Sequence, residues 1–101
     1  SLIEKFTDAF VQFAPEQYNA VEEAVHSLDP EAIMRAAHTL KGAAANIGGD
    51  EVTEIAGRLE AKAEAGDMTR CAENVSELKR AFEALMEALR STDWGGLLQD
   101  A

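Results

Sequence analysis

Apolar and polar positions alternate with helical periodicity along almost the whole chain. Ile3, Phe6, Phe10 and Phe13 recur at intervals of three and four, which predicts a first amphipathic helix. That helix should stop at Ala14-Pro15, because the residue before a proline is biased away from helical geometry. Pro15 suits the opening position of a second short helix, whose inner face would be Tyr18, Val21, Val25 and Leu28. Asp29-Pro30-Glu31 marks the next start: Asp29 can cap free amides, Pro30 gives up an N–H that had no partner, and Glu31 favours the positive end of the dipole. A third helix then carries Ile33, Ala37, Leu40, Ala44 and Ile47 on one face until Gly48-Gly49 supplies a left-handed stop.

A fourth helix is predicted from Asp50, with Val52, Ile55, Ala56, Leu59 and Ala63 inward and a stop at Gly66. Asp67 should cap the fifth and longest, whose seam is Cys71, Val75, Leu78, Phe82, Leu85 and Leu89. Short connections make successive helices antiparallel neighbours. The expected fold is therefore all-α: an antiparallel up-down four-helix bundle over residues 1–92, with the short first helix as a lid. Residues 93–101 lose the periodicity and read as an irregular tail, with Trp94 packing loosely back on the bundle or leading into a connecting segment.

Composition narrows the function. The chain has 101 residues, enough for one core and no separate catalytic lobe. Nineteen acidic residues against nine Lys and Arg give a formal charge of −10, a field that repels a phosphate backbone, so nucleic acid is a poor partner. The single cysteine, Cys71, sits at an apolar helical position and reads as a buried thiol in a reducing compartment, with the cytoplasm as the expected location. No apolar run approaches a membrane span and no leader pattern is present, so no direct membrane contact is expected. The sequence opens on Ser1 without methionine and reads as a domain cut from a longer polypeptide, whose other parts could be membrane-associated.

The third helix carries the chemistry. At about 100° per residue, His38 lies roughly 150° from the centre of the apolar face around Leu40, so its ring should face solvent. Gly42 costs roughly 1 kcal/mol relative to alanine in a helix interior. It lies one turn beyond His38 and is followed by Ala45, which leaves the surface beside the imidazole nearly bare for an approaching partner. Tight helix packing is the other reading of Gly42. Lys41 can bring an ammonium to a group carried by the imidazole.

The run His38-Thr39-Leu40-Lys41-Gly42, with Asn46-Ile47-Gly48 beyond it, resembles the signature of histidine-containing phosphotransfer domains, the HPt family. The five-helix layout agrees over nearly the whole chain, most strongly over residues 30–67. The resemblance implies that His38 is the phosphoacceptor, that Lys41 stabilises the phosphoryl group and that Gly42 gives a receiver domain room. It also places Glu60 where similar domains have a Gln or Glu hydrogen-bonded to the imidazole. A carboxylate accepting Nδ1–H would leave the Nε2 lone pair free to attack phosphorus. Pairing of Glu60 with Lys62 or Arg58 on its own helix is the plainer alternative.

Met34, Arg35, Gly42 and Ala45 are expected to form the receiver docking surface, with Arg35, Lys41, Arg58 and Lys62 making a local basic spot. No Walker loop, nucleotide-binding glycine box or acidic metal triad is present, so the chain should not phosphorylate itself from ATP and should bind no cofactor of its own. By the family resemblance, Mg²⁺ would come from the receiver. The expected partners are response-regulator receiver domains, with a hybrid histidine kinase in the same polypeptide as a further expected partner.

Three other readings remain open. Glu23-x-x-His26 has the spacing of di-iron carboxylate bundles, but no second copy exists, and His26 reads as a surface residue near a helix end. A non-catalytic interaction bundle would keep the surface and lose the chemistry. Alternatively, the chain resembles the amino-terminal phosphoacceptor domain of chemotaxis-type kinases, and Glu60 in place of Gln leans that way.

Overall fold

The computed structural model of the protein describes residues 2–91. Four helices account for nearly all of them, and no strand is present among the described residues: α1 is Leu2–Ser27, α2 Pro30–Asn46, α3 Asp50–Glu64 and α4 Cys71–Ser91. Each helix packs on its successor and α4 returns to α1, enclosing a core shared by all four.

The two expected amino-terminal helices are one. α1 runs through Pro15 without a break, so there is no separate lid helix. Pro15 lacks the N–H that would bond the carbonyl of Val11, yet burial outweighs that loss. Phe10, Ala14, Tyr18 and Val21 are 6%, 1%, 7% and 0% exposed and form one stripe continuing across the proline. The predicted first face was in the wrong phase: Phe10 is buried, while Phe6 and Phe13 are 55% and 53% exposed. Thr7 belongs to the true stripe, and its hydroxyl concealed it.

α2 is built as its sequence predicts. Oδ1 of Asp29 accepts hydrogen bonds from the amides of Glu31 (3.1 Å) and Ala32 (3.4 Å), and Pro30 opens the helix. Ile33, Ala37, Leu40 and Ala44 are fully enclosed. The stop is Gly48 at φ +76°, after which the Gly49 amide reaches back to the Ala44 carbonyl at 2.9 Å. Gly49 also lets α4 come close, since a Cβ there would lie 2.8 Å from Leu85 Cδ2.

α3 buries Val52, Ile55, Ala56, Leu59 and Ala63 and ends at Gly66, φ +74°, with the Asp67 amide donating to the Lys62 carbonyl at 2.8 Å. Asp67 does not cap α4. Its Oδ1 instead accepts from the amide (3.0 Å) and hydroxyl (2.6 Å) of Thr69, closing a local turn. Arg70 precedes α4, and its carbonyl accepts from the Asn74 amide at 3.0 Å.

Within α4, Cys71, Leu78 and Phe82 are buried as expected, joined by Asn74, Ala81 and Met86, while Val75, Leu85 and Leu89 are only partly covered. Phe82 stacks on Tyr18 at 5.0 Å between ring centroids and meets Phe10 at 6.3 Å, fastening α4 to α1 on both sides of Pro15. The tail with Trp94 lies outside the described residues.

A continuous α1 makes Pro15 a tolerated defect rather than a helix start. Pro15→Ala should restore a backbone donor, raise the urea midpoint and add on the order of 1 to 3 kcal/mol to the unfolding free energy. A loss of stability in that variant would contradict this view of α1.

Candidate functional site

α2 turns one side inward through Leu40, and the opposite side must then carry His38. The His38 side chain is 69% exposed. One turn on, Gly42 is exposed, and a Cβ placed there would find nothing within 4 Å, so internal packing does not require the glycine. Ala45 is exposed on the same side. The surface beside the imidazole is bare, as the residue types suggested.

The neighbouring helix supplies the rest. Glu60, on α3, is only 18% exposed and places Oε2 2.6 Å from His38 Nδ1 and Oε1 2.5 Å from Lys41 Nζ. One carboxylate therefore takes a separate donor on each oxygen. The bond from Lys41 holds the Glu60 carboxyl below its ordinary value; partial burial opposes this, and the bond from His38 adds to the lowering. An ionised carboxylate can only accept, so the proton of the shared bond belongs to Nδ1. In the neutral ring, Nε2 then keeps its lone pair and has no proton.

Sequence reasoning placed Lys41 beside the imidazole and missed its bond to Glu60. It missed Gly57 altogether. A Cβ at Gly57 would lie 3.4 Å from Lys41 Cδ, an ordinary contact, so the lysine stem passes close along α3 at this position. The available signal was a second mid-helix glycine, three residues before Glu60 on the same side.

The expected basic spot does not assemble. Arg58 points towards α4, where Nη1 donates to Glu77 at 3.0 Å, and its Nη2 donates to Glu54 at 3.4 Å. Lys62 Nζ donates to the carbonyl of Thr69. Both lie two residues from Glu60, about 200° around the helix, and so turn away from α2. Arg35 is exposed but borders a groove with Glu16, Ala20 and Glu23 of α1, while Met34 is half-buried against the cluster containing Ile33 and Cys71. The structure thus brings together His38, Lys41 and Glu60, with Gly42 and Ala45 alongside.

A family model described as Hpt domain matches residues 5–92. The chain belongs to the Hpt domain family. No curated protein and no solved structure matches it. Membership implies histidine phosphotransfer in phosphorelays, with receiver domains as the interacting class. Among the described residues of this Hpt domain, no three His, Cys, Asp or Glu side chains gather to hold a metal, and no helix is long and apolar enough to cross a membrane.

The pairing of Glu60 in the Hpt domain has a measurable signature. Its carboxyl should titrate below an ordinary glutamate, followed by carbon-detected NMR, and Lys41→Met should move the midpoint upwards. A folded-state value below the unfolded one gives stability that is fully present above the unfolded value and is lost as pH falls through the folded one. Glu60→Gln should therefore flatten the acid limb of the stability curve. An unshifted midpoint in the native domain would refute the pairing.

Proposed function

We propose that His38 is the phosphoacceptor, that Glu60 orients its ring and that Lys41 stabilises the phosphoryl group. The observation that carries this reading is the carboxylate bond to Nδ1, which leaves Nε2 outward and unprotonated on an exposed ring beside an empty glycine surface. The Nε2 lone pair attacks the phosphorus of a receiver aspartyl phosphate. An N–P bond forms, the P–O bond to the aspartate breaks, and the carboxylate leaves with its electron pair. The ring gains positive charge as it gives up the lone pair, and Glu60 faces that charge through Nδ1–H. Attack by another receiver's aspartate on phospho-His38 reverses each change.

Gly42 and Ala45 give the receiver its approach, with Met34 and Arg35 at the margin of the docking surface. The receiver supplies Mg²⁺. Residues 1–92 act as the phosphotransfer module, in the cytoplasm, passing phosphate between receivers or from a hybrid kinase that carries the domain, and residues 93–101 lie outside the module. Contacts of Glu60 with His38, of Gly57 with Lys41 and of Gly49 with Ala44 support an antiparallel α2–α3 pair and, with the short turns, an up-down bundle. Direct phosphorylation by a chemotaxis-type kinase is the second reading, favoured by Glu60 being an acid.

Incubation with a panel of phosphorylated receivers tests the proposal. Acid-labile, alkali-stable label should pass to the domain and be lost in His38→Gln. Gly42→Gln should block transfer with helicity unchanged. Lys41→Ala should slow it about 10- to 100-fold, the loss of a charge-assisted bond worth roughly 1.5–3 kcal/mol. Label retained in His38→Gln would overturn the assignment, and label taken only from a chemotaxis-type kinase and ATP would establish the second reading.

A further inference from the structure

α1 and α4 meet at the Tyr18–Phe82 stack, and beyond it a cleft of about 620 Å³ lies between them, reaching the turn at Leu28 and the segment from Met68 to Arg70. That is the size of a small-molecule site. Its lining comes from α1, α4 and the flanking turns and includes none of the residues placed at the phosphotransfer site. Val25, Leu28, Met68 and Val75 make it mainly apolar, and His26, Arg70 and Lys79 stand along it.

Two residues at the mouth of this cleft are held in a costly backbone conformation. α2 and α3 are followed by glycines with positive φ, Gly48 at +76° and Gly66 at +74°, where no side chain is strained. The turn after α1 instead uses Leu28 at φ +54°, and α4 is preceded by Arg70 at φ +59°. Left-handed geometry disfavours both, and Leu28, 61% exposed, gains little packing in return. Both side chains line the cleft. Strain kept where a glycine would remove it points to a use for the side chain.

The charges define what the cleft fits. Arg70 and Lys79 have no carboxylate within ion-pair distance, unlike Lys41 and Arg58. Arg70 adjoins the first amides of α4, those of Cys71, Ala72 and Glu73, which no side chain caps because Asp67 is bonded to Thr69. An anion at this end meets a guanidinium and the positive end of a helix dipole. Of the two acids lining the cleft, Glu22 lies one turn from Tyr18 at the inner end, and Glu73 is exposed to water. Tyr18, 7% exposed, closes the inner end with a hydroxyl that has no hydrogen-bond partner, so polar groups of the cleft are not satisfied from within the chain.

We propose that the cleft between α1 and α4 binds a free amphipathic carboxylate, with its head on Arg70 and the first amides of α4 and its apolar chain along Val25, Leu28 and Val75. The site is independent of the chemistry at His38.

Calorimetric titration of the full chain with decanoate, kept below its micelle concentration, tests this. Binding should saturate, move the amide resonances of Ala72, Glu73 and Val75, and be about tenfold tighter than that of decanol, which has no charge. Arg70→Gly and Leu28→Gly should each weaken it, the first by about tenfold, while the urea midpoint stays the same or rises, because glycine tolerates the φ at both places. Absence of saturable binding, equal affinity for decanol, or unchanged binding in either glycine variant would overturn the proposal. A lowered urea midpoint in either variant would do so too, since the side chain would then serve the fold instead of a ligand.

Discussion

A carboxylate on one helix holds two donors from the next, and the chemistry of the domain rests on that arrangement. Glu60 can reach His38 and Lys41 together only if α2 and α3 are fixed in rotation and register. Leu40 and Leu59, both fully buried, set the rotation of the two helices. The lysine stem runs beside Gly57, and the Gly48-Gly49 turn fixes where α3 starts. Lys41 keeps the carboxylate ionised, the carboxylate keeps the proton on Nδ1, and Nε2 is the nitrogen left to react.

The site also shows where helix stability has been given up. Gly42 weakens α2 by roughly 1 kcal/mol relative to alanine, and nothing inside the domain fills the space it leaves. A cost without an internal return points outward, to a surface that must come close to the ring. Gly49 is the contrasting case, because the space a side chain would need there is occupied by Leu85 and the Ala44 carbonyl. The two glycines have the same composition and opposite reasons.

Much of α2 was legible because its cap, inner face and stop are local features that agree with one another. Asp29, Pro30, the Leu40 face and Gly48 are all in place, and the phase of Leu40 alone sets His38 outward. The sequence misled where a local rule met tertiary packing. Ala14-Pro15 looked like a boundary, yet Phe82 packs on α1 both before it, at Phe10, and after it, at Tyr18. Asp67 had a cap's identity and spent its oxygen on Thr69. The Lys41–Glu60 bond and the departure of Arg58 to Glu77 depend on which flank of α3 meets which neighbour, and single-helix periodicity does not contain that information.

The most direct test of the account is the tautomer of His38, read from two-bond proton–nitrogen correlations in the unphosphorylated domain at a pH where the ring is neutral. Glu60 as acceptor requires the proton on Nδ1, with Nε2 showing the nitrogen shift of an unprotonated site. A spectrum with the proton on Nε2 would contradict the account, because the nitrogen facing the receiver would then have no lone pair to offer.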